Sequence, residues 1–349
     1  MSDVVIKPRL PAAVRIVVAV ALAVLFLYVI PFAIPNYLVS QFATVLAFAI
    51  AIIGINLVTG FGGAITLGHA AFVALGSYTT AILVVRYGWS PYATIPVAAV
   101  LSWAAGWCLG FPALRLQGLY LALGTLVLSI TVPPVLKRFD GFTGGVQGLN
   151  LGNPEAPAFL PLDDSQWIYF VCLAAAAVLY VAARRILSGP LRTALAAARD
   201  NQLVAAVMGV DRATLTTATF AMSSLYAGVA GSLYAMIVGF VSPDTFNVMM
   251  SLSLFVGAVV GGITSIAGAI VGAMFIQFVP IWASDIDVSL GGLVFGCALI
   301  VTLIVLPAGI GGLGERLFNR LCARLGWVEG ADAGHPASEA VREVRNEPA

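Results

Sequence analysis

The chain has 349 residues, of which 60% are hydrophobic and only 9% are charged, and its formal net charge at pH 7 is +1. This composition is far more apolar than that of a soluble domain, so it predicts an integral membrane protein. The basic residues lie beside apolar stretches rather than in a groove-forming run, which argues against nucleic-acid binding.

About ten membrane-spanning helices are predicted, with both termini cytoplasmic, because the arginines concentrate in loops assigned to that side. The fold class is therefore all-α, with short or broken glycine-rich spans. In chain order the predicted spans are 16–34, 38–58, 60–85, 91–111, 118–136, 167–183, 213–238, 246–260, 269–282 and 290–306. Arg86, Lys137 and Arg138 fall outside in this arrangement and weaken the charge argument.

Three regions follow from these spans. Residues 1–15 form a cytoplasmic N-terminal segment, residues 16–328 a transmembrane domain, and residues 329–349 a charged, disordered cytoplasmic tail. The first apolar stretch is long enough to span and has no convincing cleavage site, so we expect a retained helix. The span count is also compatible with an inverted repeat, as in many transporters.

The longest outer loop, residues 137–166, is rich in Gly, Pro and Asp and predicts irregular structure. The cysteines form no CxxC pair, so they predict neither a disulfide framework nor a zinc site. We expect packing roles for all of them: Cys108, Cys172, Cys297 and Cys322.

The most polar interruption is residues 184–212, which we call the arginine segment. Pro190 fits a first helical position, Asp200 or Asn201 fits the cap of a second helix, and Gly209 fits its end. The second helix presents an apolar face, which predicts a docking surface; the alternative is a solvated connector. The arginines are Arg184, Arg185, Arg192, Arg199 and Arg212, and the apolar face is Leu203, Val204, Val207 and Met208.

Catalytic or metal-binding patterns are missing from the apolar body, where His69 is the only histidine. An enzyme needs positioned nucleophiles, acids or metal ligands, so a membrane-embedded enzyme is disfavoured and we expect no metal site. The sequence has no GxxxxGK[ST] motif either, so any ATP hydrolysis through a P-loop belongs to a partner.

Glycines crowd two regions and predict close approach of helix backbones. The first cluster is Gly54, Gly60, Gly62, Gly63, Gly68 and Gly76; the second is Gly257, Gly261, Gly262, Gly268 and Gly272. Neutral polar residues beside them either line a path for a polar solute or bond neighbouring helices. The candidate path residues are Asn56, Thr66, His69, Ser77 and Thr264, with Thr79 next to them.

Several ordered motifs give the chain a family resemblance. Residues 54–78, GINLVTGFGGAITLGHAAFVALGSY, resemble a hallmark segment of the LivM-type permease subunits of bacterial branched-chain amino acid ABC transporters. Further matches are ALRLQGLYLALGTL at 113–126, TGGVQGL at 143–149, GGITSIAGAIVGA at 261–273 and LPAGIGGL at 306–313. The resemblance covers most of the chain.

The resemblance implies a bacterial inner-membrane importer. This subunit would pair with a second, LivH-like permease, receive solute from an extracytoplasmic binding protein, and dock two ATPases that bind the ATP and magnesium. No cofactor is then expected in this chain itself. Leucine, isoleucine and valine are the family's usual solutes, with urea, amides or other amino acids as alternatives.

The resemblance makes the arginine segment the contact with the ATPases. ABC importers carry E-A-A-x-x-x-G there, of which only Ala205 and Gly209 are present; the family's acidic positions are Gln202 and Ala206 here. Contact through the apolar face and through Arg199 or Asp200 is therefore expected. The implied coupling residues are Arg199, Asp200, Leu203, Ala205, Val207, Met208 and Gly209.

A stand-alone channel or secondary carrier is the second functional hypothesis. Proton- or sodium-coupled carriers usually need acidic residues within their spans, and these spans contain almost none. The sequence therefore favours a permease that is driven by a partner.

Overall fold

The structure is a computed structural model that describes residues 25–114, 118–152, 154–156, 162–200, 205, 209, 211–286, 296 and 300. Its α-helices are α1 (Ile30–Ala33), α2 (Asn36–Ile55), α3 (His69–Tyr87), α4 (Pro91–Ala113), α5 (Leu119–Arg138), α6 (Asp140–Thr143), α7 (Asp164–Ser188), α8 (Pro190–Asp200), α9 (Arg212–Val238), α10 (Val248–Gly261) and α11 (Gly268–Ile286). A π-helical turn, Leu25–Val29, precedes α1, and a π-helix, Asn56–Phe61, continues α2.

Six of the described helices are long and apolar enough to cross a membrane. Their spans are Asn36–Phe61, His69–Tyr87, Pro91–Pro112, Leu119–Arg138, Asp164–Ser188 and Ala213–Val238, and two shorter apolar helices are Val248–Gly261 and Gly268–Ala283. The prediction of a helical, multi-pass membrane protein is confirmed. The total of ten spans, the placement of the termini and the inverted repeat stay predictions. Residues 1–24, which include the predicted N-terminal segment and part of the first predicted span, lie outside the described residues. The tail does too, as does the last predicted span except for residues 296 and 300.

The centre of the bundle is formed by α2 and α9, the most deeply buried of the six spans. α2 packs against α7, α9 and α11, while α9 also packs against α3 and α4. Consecutive residues of α2, among them Ile50, Ile52 and Ile53, are buried on every side of the helix. A helix that is apolar all round belongs in the interior of a membrane bundle, and α2 occupies that position.

The helix boundaries follow from side-chain caps. Asp163 and Gln166 form a capping box at the start of α7, and Asn247 accepts a hydrogen bond from the Met250 amide at the start of α10. Gly239 ends α9 with a φ of +69°, a left-handed conformation that favours glycine. Pro190 begins α8, as the sequence predicts.

At one end of the bundle the loop after α5 meets the connection between α9 and α10, and we call this end the loop end. Lys137 forms a 2.6 Å ion pair with Asp244, which joins the end of α5 to the connection after α9. Two short strands, β1 (Leu149–Asn150) and β2 (Phe240–Val241), pair antiparallel beside them. The described part of the long loop after α5 is thus more regular than predicted, because it contains α6, a 3₁₀ turn (Gly145–Gln147) and β1. The pairing of β1 with β2 fixes it to the α9–α10 connection.

Glycines let α3 and α9 approach closely at the level of their backbones. A side chain at Gly76 would overlap the carbonyl of Gly228, and one at Gly231 would overlap the carbonyl of Val73. Ser77 donates a 2.7 Å hydrogen bond to the Gly231 carbonyl across the same interface. The close packing predicted for glycine-rich spans is present here.

Candidate functional site

The chain leaves helical geometry between α2 and α3, inside the first glycine cluster. The π-helix ends at Phe61, Gly63 has a φ of +70°, and residues 63–68 are non-helical until α3 begins at His69. We call residues 63–68 the extended segment. Non-helical backbone at membrane depth is tolerated only where protein or a cavity satisfies its polar groups. π-Helical turns are also frequent at functional sites.

Hydroxyl groups from α5 and α10 satisfy the end of the extended segment. Thr125 accepts a hydrogen bond from the Leu67 amide at 2.9 Å, and Ser129 donates to the Leu67 carbonyl at 3.1 Å. Ser251 accepts from the Ala70 amide at 2.9 Å and lies 2.8 Å from the Ser129 hydroxyl. These neutral side chains hold the end of the extended segment in place. We call Thr125, Ser129 and Ser251 the hydroxyl cluster.

His69 opens α3 and is buried, with 3% of its surface exposed. Its Nε2 lies 2.7 Å from the hydroxyl of Ser223, which donates its proton to the Gly54 carbonyl at 2.6 Å. A carbonyl only accepts, so the Ser223 proton is committed and His69 must donate from Nε2. His69 Nδ1 has no hydrogen-bond partner among the described residues. The histidine thus joins α2, α3 and α9.

The two glycine clusters meet beside this site. Asn56 donates from Nδ2 to the Ser265 carbonyl at 3.0 Å. A side chain at Gly60 would overlap the carbonyl of Ile263, so the π-helix and the α10–α11 turn touch backbone to backbone. The Oδ1 atom of Asn56 is buried and has no partner among the described residues.

Arg199, in the last turn of α8, reaches this meeting point. Its Nη1 donates to the Gly60 carbonyl at 2.7 Å, and α8 packs on the π-helix. A Cβ at Gly63 would lie 2.9 Å from Arg199 Cγ, so the side chain rests on a glycine that offers no obstruction. The arginine segment and the first glycine cluster are therefore in direct contact.

The predicted path residues have different surroundings. Asn56, His69 and Ser77 bond neighbouring helices, and Thr66 is buried with its hydroxyl 3.5 Å from the Gly68 amide. Thr264 is exposed. Thr79, named beside them, bonds Leu75 of its own helix at 2.7 Å. The bonds of Asn56, His69 and Ser77 give these residues the interhelical role that the sequence left open, while their part in a solute path stays a prediction.

The predicted coupling residues are described only in part. Ala205 is buried, and Gly209 is exposed with a φ of +81°, the conformation that a helix-ending glycine adopts. Leu203, Val207 and Met208 lie outside the described residues, as does the side chain of Asp200. Of the cysteines, Cys172 is buried and Cys108 is exposed, while Cys297 and Cys322 are outside the described ranges.

Sequence reasoning missed the hydroxyl cluster and Ser223. Thr125 and Ser129 are spaced i, i+4 and share one face of α5, a signal that marks them as a pair. Ser223 and Ser251 carry no comparable signal, because Ser224 and Ser253 lie beside them and the sequence does not indicate which serine faces a neighbouring helix. Their partners are known only once the helices are packed.

A cavity of about 250 Å³ adjoins the hydroxyl cluster. Its lining includes Thr125, Thr131 and Gly124. The other lining residues are apolar: Phe72, Leu109, Pro112, Leu121, Val127, Leu128 and Phe220. Within the described ranges, no group of three or more His, Cys, Asp or Glu side chains is placed to hold a metal ion. The side chains described around the hydroxyl cluster and this cavity are therefore neutral hydroxyls and apolar groups.

Residues 37–303 match the family described as "Branched-chain amino acid transport system / permease component". The chain belongs to this permease family. The matched range contains α2, apart from its first residue, and α3 to α11, and with them the extended segment, the hydroxyl cluster and the arginine segment.

Named relatives within this permease family are moderately similar to the chain. The high-affinity branched-chain amino acid transport system permease protein LivM of Salmonella typhimurium is 29% identical over 281 residues, or 74% of this chain and 66% of that protein. The corresponding LivH protein of Escherichia coli is 25% identical over 289 residues, or 77% of this chain and 92% of LivH. The chain thus spans slightly less than two thirds of LivM's length. No solved structure matches it.

Proposed function

We propose that this chain is a permease subunit of an ATP-driven importer for branched-chain or related amino acids. The observation that carries the proposal is the family match across residues 37–303, together with relatives named as branched-chain amino acid permeases. Urea, amides and other small polar solutes are the alternative cargo. The site supports a small solute because its polar groups are neutral hydroxyls, amides and carbonyls.

The proposed importer contains a second, LivH-like permease. Relatives named LivM and LivH both align with most of this chain, which supports a pair of related permeases around one path. Two ATPases would bind ATP and magnesium, and an extracytoplasmic protein would deliver the solute. ATP binding and hydrolysis would then switch the path between outward and inward access.

The proposed location is the bacterial inner membrane, with the arginine segment in the cytoplasm. Arg184, Arg185 and Arg192 are exposed at the end of the bundle opposite the loop end. Exposed arginines beside membrane helices favour a cytoplasmic position. The loop end, with the Lys137–Asp244 ion pair, would then face the binding protein.

Energy from a partner fits the described spans better than ion coupling does. Within the six described spans and the two shorter apolar helices, Val248–Gly261 and Gly268–Ala283, Asp164 at the first position of α7 is the sole carboxylate. Asp285 follows in the last turn of α11, beyond the apolar part. Carriers coupled to protons or sodium place ionisable residues inside their spans. This observation favours an ATP-driven permease over a stand-alone carrier.

Reconstitution tests the proposal. The complex purified from native membranes is placed in proteoliposomes with the binding protein, and labelled leucine uptake is measured with and without ATP. We expect ATP-dependent uptake that isoleucine and valine inhibit and urea does not. Gradient-driven uptake by the chain alone would establish the carrier instead, and inhibition by urea or amides alone would change the cargo.

Variants at Gly209 test the coupling role of the arginine segment. Gly209→Val places a β-branched residue at a φ of +81°, whereas Gly209→Asn is a matched control because Asn tolerates this conformation. We expect the valine variant, and a bulky or charged residue at Ala205, to insert and hydrolyse ATP in the complex without matching uptake. Normal uptake by these variants would contradict the coupling role.

A further inference from the structure

The arginines of the arginine segment differ in their surroundings. Arg184, Arg185 and Arg192 are exposed and make no side-chain hydrogen bond to another described residue. Arg199 is also exposed along part of its length, but its guanidinium bonds the Gly60 carbonyl at 2.7 Å. Arg199 therefore has one side available to a partner and one side fixed to its own chain.

The Gly60 carbonyl oxygen is a favourable acceptor for the Arg199 guanidinium. Gly60 lies in the π-helix that ends α2, where carbonyl groups lack intrahelical partners and the helix dipole favours a cation. Gly60 cannot carry a side chain because its α-carbon packs on the Ile263 backbone. The guanidinium thus caps the end of the π-helix. Contact with the α10–α11 turn also fixes the position of that end.

The contact leads directly to the hydroxyl cluster. Gly63, beneath the Arg199 side chain, begins the extended segment, and the Leu67 amide four residues later bonds Thr125 at 2.9 Å. The segment is also tied to the π-helix, because the Ala64 amide donates to the Val58 carbonyl at 3.1 Å and the Ala64 carbonyl accepts from the Thr59 hydroxyl at 3.1 Å. Four residues of chain therefore connect the Arg199 contact at Gly63 to Leu67, and α3 begins two residues later.

We propose that Arg199 is the positioning residue that passes movement of the arginine segment to the extended segment. It acts through Gly60 and Gly63 of its own chain instead of serving as an ATPase contact. This inference rests on the proposed importer function and deepens it. It replaces the expectation that Arg199 binds the ATPase, and leaves docking to the remaining implied coupling residues, which are Asp200, Leu203, Ala205, Val207, Met208 and Gly209.

Substitution separates this role from docking. In the reconstituted complex, Arg199→Ala is expected to lower uptake per ATP hydrolysed about tenfold, a common size for coupling between sites. The ATPases should still co-purify and hydrolyse ATP. Arg199→Lys should restore part of the uptake, because lysine keeps a donor but lacks the planar fork. Arg192→Ala, the matched control, should transport normally.

A covalent replacement keeps the test decisive if Arg199→Ala folds poorly. A Cβ at Gly63 would lie 3.4 Å from Arg199 Cβ, close to the separation of about 3.5–4.5 Å found in disulfides. Gly63→Cys with Arg199→Cys, in a background without the four native cysteines, is assayed after oxidation and after reduction. Because Gly63 has a φ of +70°, which favours glycine, Gly63→Cys alone is assayed as the control for backbone strain. The oxidised complex should couple ATP hydrolysis to uptake, and the reduced complex should be uncoupled.

The results separate the two proposals. If the wild-type complex shows no ATP-dependent uptake, the importer function fails. If it transports, then normal uptake by Arg199→Ala, loss of the ATPases from that variant, or activity of the cysteine pair only when reduced would each overturn the role of Arg199. Recovery of uptake on oxidation supports it, because a bond across this contact then replaces the guanidinium.

Discussion

The side-chain amide of Asn56 donates a hydrogen bond to the carbonyl of Ser265, 209 residues further along the chain. Asn56 begins the π-helix after α2, and Ser265 lies in the turn between α10 and α11. The bond joins the two glycine clusters at the point where both chain segments leave α-helical geometry. Because Gly60 touches Ile263 in the same place, side chain and backbone together hold this junction.

Loss of the Asn56 bond should destabilise the protein measurably. Asn56→Ala removes a buried interhelical hydrogen bond, worth about 0.6–1.7 kcal/mol in membrane proteins. Asn56→Asp should cost more, because a carboxylate cannot donate to the Ser265 carbonyl and its charge would be buried. Thermal unfolding in detergent provides the measurement.

Asn150→Asp is the control for Asn56. Asn150 is exposed in β1, and its Oδ1 accepts from the Gly152 amide, a role that a carboxylate oxygen preserves. This variant should unfold like the wild type. Equal unfolding temperatures for Asn56→Asp and Asn150→Asp would contradict the importance of the junction.

Gly76→Ala should show how tightly α3 and α9 are packed. Its Cβ would overlap the Gly228 carbonyl, and because backbone cannot rotate away, the helices must separate. Overpacking of this kind costs about 1–3 kcal/mol. Gly141→Ala offers a matched control, since its Cβ would meet open space and its φ is not positive. A Gly76→Ala protein as stable as Gly141→Ala would show that the interface is looser than the structure indicates.

His69 and Ser223 should behave as a unit in a double-mutant cycle. Because the 2.7 Å contact between them requires His69 to donate from Nε2, Ser223→Ala also removes the acceptor of that proton. The free energies of unfolding of His69→Leu and Ser223→Ala should differ from additivity by about 0.5–1.7 kcal/mol. His69→Leu with Thr79→Ala is the control pair, because Thr79 bonds only its own helix at Leu75 among the described residues. Additive values for His69 and Ser223 would exclude the bond.

The long helices were predictable because each is a nearly uninterrupted apolar run. The predicted starts at Pro91 and Pro190 agree with α4 and α8, since proline favours the first helical turn. Such runs do not reveal which face of a helix packs where, because α2 is apolar all round. The partners of Asn56 and His69 therefore could not be read from the sequence.

The arginine segment illustrates the same limit. Its charge predicts a position beside the membrane, and its helix α8 follows from Pro190. Nothing in the sequence indicates that Arg199 bonds Gly60, which is 139 residues away. A side chain with five donors has many acceptors within reach, and tertiary packing decides among them.

Asp211, the cap of α9, should make the start of that helix sensitive to acid. The Thr214 hydroxyl and then the Ala213 amide donate hydrogen bonds to its carboxylate, and they hold the pKa of Asp211 below the ordinary 3.8. Since the folded pKa is the lower one, the stabilisation is fully present above the ordinary pKa. It is lost as the pH falls through the folded pKa.

The wild-type protein should therefore have a higher midpoint of thermal unfolding than Asp211→Asn at neutral pH, and this difference in midpoint should shrink in acid. When Thr214→Val removes the first donor, the difference in unfolding midpoint between the proteins with Asp211 and with Asp211→Asn should be smaller at neutral pH. A difference that does not change with pH would show that Asp211 contributes nothing through its charge.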